Sequence, residues 1–177
     1  MNKLFRILIY FQTIFCLIPA ALYSAEPVWE TPVNCDNLNT GEDDFAPVWD
    51  SYEQQLLFNS IRDGYSYYFK AEFTDSLEFE EPVKLIGGIN EKNNNQSYFT
   101  FINDEEALIS TFRLTPQRSY LNIYKTVKEK QAWSEPFVLD TLKCDCFTSH
   151  PTVSPDGNIM VFSTNRNSQY GDTALWM

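Results

Sequence analysis

From Trp29 onward the apolar residues come in short bursts with no sustained helical interval. Leu56-Leu57-Phe58, Ala107-Leu108-Ile109 and Met160-Val161-Phe162 each run into small polar residues and then an arginine, in LLFNSIRDG, ALISTFRLT and MVFSTNRNS. The arginines are Arg62, Arg113 and Arg166, spaced by 51 (113 − 62) and 53 (166 − 113) residues. Pro47 and Pro151 stand at equal distance ahead of the first and third, with Tyr98 at that place in the middle copy. A second mark recurs: an aromatic, two residues, a proline and an apolar residue. It reads Trp29-Glu30-Thr31-Pro32-Val33, Phe79-Glu80-Glu81-Pro82-Val83 and Trp133-Ser134-Glu135-Pro136-Phe137. Between these marks lie Tyr67-Tyr68-Phe69-Lys70, Asn122-Ile123-Tyr124-Lys125 and Ala174-Leu175-Trp176-Met177. The interval from arginine to the end of this run varies, as loop lengths do.

Each unit predicts four short strands. The first enters a tight hairpin, clearest at Ser154-Pro155-Asp156-Gly157, where proline presets one angle and glycine accepts a positive one. The burst is the second strand, rich in residues that suit a pleated buried surface. The third carries the aromatic ending. The fourth contains a proline that cannot donate to a ladder and so belongs at an edge. A four-stranded unit recurring every fifty or so residues predicts an all-β chain of β-propeller blades, antiparallel and about three in number. Their bounds are about 45–85, 96–139 and 149–177, the last truncated, with 29–33 an additional edge strand.

The stretch HPTVSPDGNIMVFSTNR resembles the WD-repeat-like propeller repeat of the TolB type: a proline, Ser-Pro-Asp-Gly, an apolar strand and Ser-x-Arg. PVNCDNLNTGEDDFAPVWDSYEQQLLFNSIRDG is similar to the variant of exported bacterial proteins, some of which carry an OmpA-like peptidoglycan-binding domain. The first two copies depart from the pattern, with Ser51-Tyr52-Glu53 and Asn103-Asp104-Glu105 in place of Ser-Pro-Asp-Gly. The repeat-signature residues Arg62, Arg113, Arg166, Pro47, Pro151, Ser154, Pro155, Asp156 and Gly157 are read as structural. The competing reading has the arginines lining one face to hold a carboxylate. Propellers close with about four to eight blades. The expectation is therefore the opening part of a longer protein; the alternative is two half-rings that complete each other.

Composition adds the compartment. Lys3 and Arg6, the mostly apolar stretch Ile7 to Leu22 and the small residues Ser24 and Ala25 lay out a secretory signal peptide over residues 1–25. An uncleaved anchor is the alternative, although Gln12 and Pro19 interrupt a stretch that is short for a span. Removing two positive charges leaves 11 Lys and Arg against 24 Asp and Glu, a net charge of −13. Such a chain is expected to avoid nucleic acid and anionic membranes, and to make no membrane insertion after the signal is removed. The expected localisation is exported: periplasmic, outer-membrane-associated or secreted.

Cys35, Cys144 and Cys146 remain in the mature chain, and Cys35 paired with one of the other two is the expected disulfide. Cys144, Cys146 and His150 also read as three metal ligands, but without a fourth at recognisable spacing. His150 is the only histidine, and no G-x-S-x-G, H-E-x-x-H or phosphate-cradling loop occurs. Gly87-Gly88 reads as an interblade turn. The acidic clusters Glu42-Asp43-Asp44 and Asp104-Glu105-Glu106 read as solvated loops. No catalytic residue, cofactor or metal is assigned. The expected function is a non-enzymatic module that binds a protein partner at the cell envelope, with self-association as a second way to complete the ring. The alternative is the propeller part of a larger enzyme, a prolyl-oligopeptidase-like peptidase or a polysaccharide lyase, with its chemistry elsewhere.

Overall fold

The computed structural model describes residues 29–74, 78–90, 95–112 and 121–177; residues 1–25, expected to be a signal peptide, and Arg113 fall outside them. The chain divides between Asn34 and Cys35 into two units. In the first, residues 29–34 carry no regular secondary structure, so the strand expected over 29–33 is absent. A short proline-containing strand has no stability of its own and forms only where a neighbouring edge receives it.

Among its described residues the second unit, Cys35–Met177, is all-β apart from two short 3-10 turns. Strands β1 (Asp44–Asp50), β2 (Gln55–Ser60), β3 (Tyr67–Glu72) and β4 (Val83–Lys84) make one antiparallel sheet in that order. A second sheet holds β5 (Asn95–Phe101), β6 (Glu106–Phe112), β7 (Asn122–Glu129) and β8 (Ala132–Trp133), with β9 (Phe137–Val138) also pairing β7. The third comprises β10 (Thr148–Val153), β11 (Met160–Thr164) and β12 (Ala174–Trp176).

The unbroken apolar bursts have a plain cause. Side chains alternate across a strand, so a strand buried on both faces must be apolar at every position. In β6, Ala107 and Ile109 join Leu57 and Tyr68 of the first sheet in one core, while Leu108 joins Phe162 of the third sheet in another. In β2, Leu57 faces the second sheet and Phe58 the opposite way, where it packs with Tyr67, Phe69 and Leu38. The three sheets are thus layered face to face with a separate apolar core at each junction.

All three sheets begin alike. The first strand of each bulges by one residue against its hairpin partner, between Phe45 and Val48, Ser97 and Phe99, and Ser149 and Thr152. The bulge places Ala46, Tyr98 and His150 at φ of 52°, 34° and 55°. These positions lie 52 residues apart twice over (46 to 98 to 150), so Tyr98 corresponds to Ala46 and His150 and not to the prolines beside them. The aromatic-x-x-Pro marks are also alike. Phe79 bridges Phe73 and Val83–Lys84 pair β3, while Trp133 pairs Lys128 and Phe137–Val138 pair β7. Each ladder is interrupted around its proline, Pro82 or Pro136, which has no N–H to donate.

The hairpins reach one result by two chemistries. In the third sheet Ser154 Oγ accepts the Ile159 N–H at 3.0 Å and donates to the Asp156 carboxylate, while Gly157 takes φ 74°. The first two sheets lack Pro-Asp-Gly and use a side-chain oxygen instead. Asp50 Oδ1 accepts from the Tyr52 and Glu53 amides at 3.0 and 3.2 Å, and Asn103 Oδ1 from Glu105 and Glu106 at 2.9 Å each. Bonds from Ser154 and Asn158 draw the Asp156 carboxyl down to about 2. The depressed value means that the charged carboxylate favours the folded hairpin above the ordinary range, and that this support is lost as pH falls through about 2. An NMR titration of Asp156 should give that midpoint, moving up in Ser154→Ala; an ordinary aspartate midpoint in both proteins would refute the hairpin bonding.

Candidate functional site

A cleft of about 780 Å³ opens between the first and second sheets. The β1–β2 hairpin contributes Asp50, Glu53 and Gln55, β3 contributes Lys70 and Glu72, and the β7–β8 turn contributes Lys128 and Trp133. Gln55 ties the hairpin together by donating to Asp50 Oδ2 at 2.8 Å and Glu53 Oε2 at 2.6 Å. Lys128 reaches across from the other sheet to pair with Glu53, its ammonium 5.8 Å from the Trp133 ring centroid. That bond from Lys128 holds the Glu53 carboxyl below the usual range, against the opposing pull of burial. Lys70 lies 3.8 Å from Glu72 and Lys84 2.6 Å from Asp63.

The cleft therefore has a balanced, internally paired lining. Trp133 is a wall and not a platform, since it is buried with Phe99 and Phe101 against it. Next to the cleft, Tyr52 packs on Phe101, and Asp104, Glu105 and Lys130 extend a polar, shallower surface along the hairpin ends. Among the described residues no group of three or more His, Cys, Asp or Glu side chains is placed to hold a metal ion, and no helix is long and apolar enough to cross a membrane.

The signature residues lie elsewhere. Arg62 donates from Nη2 to the Leu38 carbonyl at 2.7 Å and Asp44 Oδ1 at 3.0 Å, and from Nε to Ser60 Oγ at 2.8 Å. Arg166 donates from Nη2 to the Leu142 carbonyl at 3.0 Å. Both acceptors precede their arginine by 24 residues, and both leucines are buried. Ile89, equally far ahead of Arg113, is buried too. This apolar residue is a mark that sequence reasoning passed over, although its fixed interval was there to be read. Asp44, from an acidic cluster, is a partner of Arg62 and of Thr40, and Glu106, from the other, pairs with Lys125.

The cysteines correct the expected pairing. Cys144 and Cys146 are joined to each other and Cys35 is a free thiol. Cys35 packs beside Leu38 and Phe58 in the core on the first sheet, whereas the bonded pair leads into β10 of the third. Disulfide sulfurs are not thiolate ligands, so they form no metal set with His150. His150 sits at the β10 bulge with its ring 3.7 Å from that of Tyr98 and its backbone N–H donating to Ser110 Oγ at 3.2 Å; burial lowers its pKa. Gly87-Gly88 connects the first sheet to the second, with Gly87 bridged in parallel to Trp133. No protein-family model matches the chain, and no curated protein matches it.

Proposed function

We propose that this chain is an exported, non-enzymatic β-propeller module of TolB-like type that binds a polypeptide partner at the bacterial cell envelope. The observation that supports the propeller is the recurrence, in face-to-face sheets, of one bulge at Ala46, Tyr98 and His150. The secretory layout of residues 1–25 supports export, and the balanced hairpin-end surface around Tyr52, Glu53 and Lys128 supports a polypeptide ligand. Arginines that bond to backbone carbonyls act as braces, in keeping with their reading as structural. The experiment places a photo-activatable crosslinking residue at Tyr52 in cells of the source, followed by fractionation and mass measurement. The expected result is a chain starting at Glu26, in an exported fraction, with one dominant envelope-protein adduct at position 52 and none from a probe at Phe69. A cytoplasmic chain with Met1 retained would overturn export; a chain that crosslinks to no protein would overturn the binding role.

A further inference from the structure

We propose that Cys144-Asp145-Cys146 is a thiol–disulfide exchange site that a low-molecular-weight thiol opens and closes while the fold stays intact. The reasoning uses the third sheet alone and does not depend on the binding role. The bond closes across a separation of two residues. The stabilisation a crosslink gives by restraining the unfolded chain grows with the loop it closes, so this one protects the fold least and is the easiest to give up. Both cysteines are half-exposed, in the connection from the 3-10 turn Asp140–Leu142 to β10.

The surroundings favour a thiolate. Thr164 Oγ1 donates its single proton to the Phe147 carbonyl at 2.8 Å. The Thr148 hydroxyl, 3.2 Å from Thr164 Oγ1, is therefore the donor with a choice of partner. It lies 3.3 Å from Cys144 Sγ and 3.6 Å from Cys146 Sγ. Nearby, Arg166 holds the Leu142 carbonyl two residues ahead of Cys144, and its buried Nε has no hydrogen-bond partner. A hydrogen bond to the departing sulfur makes it a better leaving group, so Cys144, the nearer to the Thr148 hydroxyl, is the sulfur that departs. The external thiolate attacks Cys146 Sγ, the Sγ–Sγ electron pair passes to Cys144, and a mixed disulfide forms at Cys146. A second thiolate attacks the external sulfur of that mixed disulfide, releasing Cys146 thiolate and the oxidised small thiol. Two thiols are thus oxidised for one protein disulfide reduced. Leu142 stays anchored in the core with Leu108, Ile123 and Phe162, which holds the loop's base through the cycle.

The test equilibrates residues 26–177 with glutathione at stepped reduced-to-oxidised ratios, quenches with acid, alkylates, and maps the labels by mass. Cys35, a free thiol, labels at the reducing ratios and serves there as the internal reference. The expected result is that Cys144 and Cys146 gain labels together, at ratios that leave the near-ultraviolet circular dichroism native. Thr148→Val should slow opening by glutathione about three- to tenfold at fixed pH, with Thr148→Ser restoring the rate. Labelling that appears only with unfolding, a Cys35 linkage in the peptide map, or two free thiols at every ratio would each overturn the proposal. Unchanged kinetics in a folded Thr148→Val would overturn the assignment of Cys144 as leaving group; should that variant not fold, the wild-type titration decides alone.

Discussion

Replacing Gly87 with alanine abolishes the folded state or brings the chain close to losing it. A Cβ on Gly87 would stand 2.0 Å from the Trp133 carbonyl oxygen and 2.7 Å from its nitrogen, at φ 115°. Neither contact relaxes cheaply, because both atoms are backbone and the Trp133 N–H donates to the Ile86 carbonyl at 2.9 Å. A left-handed backbone on a non-glycine residue costs about 1–3 kcal/mol. Forced overpacking costs about 1–3 kcal/mol more. Domains of this size have about 5–15 kcal/mol in all, so a combined loss of about 2–6 kcal/mol is a large share of it. Gly157→Ala is the control. Its φ is 74°, but the nearest atoms lie 3.8 Å away on Ile102, so only the backbone cost of about 1 kcal/mol applies. Urea unfolding of the three proteins checks the order; equal midpoints for the two variants would refute the close crossing at Trp133.

Arg62→Met carries the second large effect. The guanidinium serves Leu38, Asp44 and Ser60 at once and lies 4.6 Å from the Phe69 ring centroid. Its removal leaves a carboxylate whose side chain is only 9% exposed without its cation. Breaking a buried pair from one side costs about 3–5 kcal/mol; with the arginine 19% exposed, about 2–4 kcal/mol is expected here. Arg166→Met should cost about 1–2 kcal/mol, since Thr148 stands where Asp44 would and one carbonyl bond is lost. The pH dependence separates the two. Burial pushes the Asp44 carboxyl up, but bonds from Ser60, Thr40 and Arg62 outweigh it and hold the group below its ordinary value. A depressed carboxylate stabilises the fold above its unfolded pKa and loses that support as pH falls through the folded value. Wild type should therefore lose stability on acidification below the ordinary aspartate range, and Arg62→Met should lose less of it. Denaturant midpoints at stepped pH measure both, and parallel acid profiles would rule out the pair as the source.

Much of the strand plan was legible along the chain. The apolar bursts signalled buried strands, and prolines in the aromatic-x-x-Pro marks signalled edges, because those are consequences of residue type and of a missing N–H. The Ser-Pro-Asp-Gly hairpin was legible because its chemistry is local. The other two hairpins were obscure for the reason that Asp50 and Asn103 replace backbone preference with a side-chain acceptor, and many loops carry such residues. Trp29–Val33 has the mark of a fourth strand and forms none, since the mark describes tolerance of an edge and cannot supply the edge.

The site was far less legible. Glu53 and Lys128 are 75 residues apart, and nothing local marks either as the other's partner. The cysteine pairing was misjudged because spacing does not say which thiols meet: Cys35 packs in the core on the first sheet, while Cys144 and Cys146, joined to each other, lead into the third. The chain by itself thus determined most of the strands, the proline-marked edges within the sheets and the Ser-Pro-Asp-Gly turn, all set by residues within a few positions of one another. Only the tertiary structure decided which carbonyl each arginine holds, which carboxylate faces which lysine and which thiols meet. Those depend on how the sheets stack, and stacking is a sum of many weak apolar contacts that no short stretch encodes.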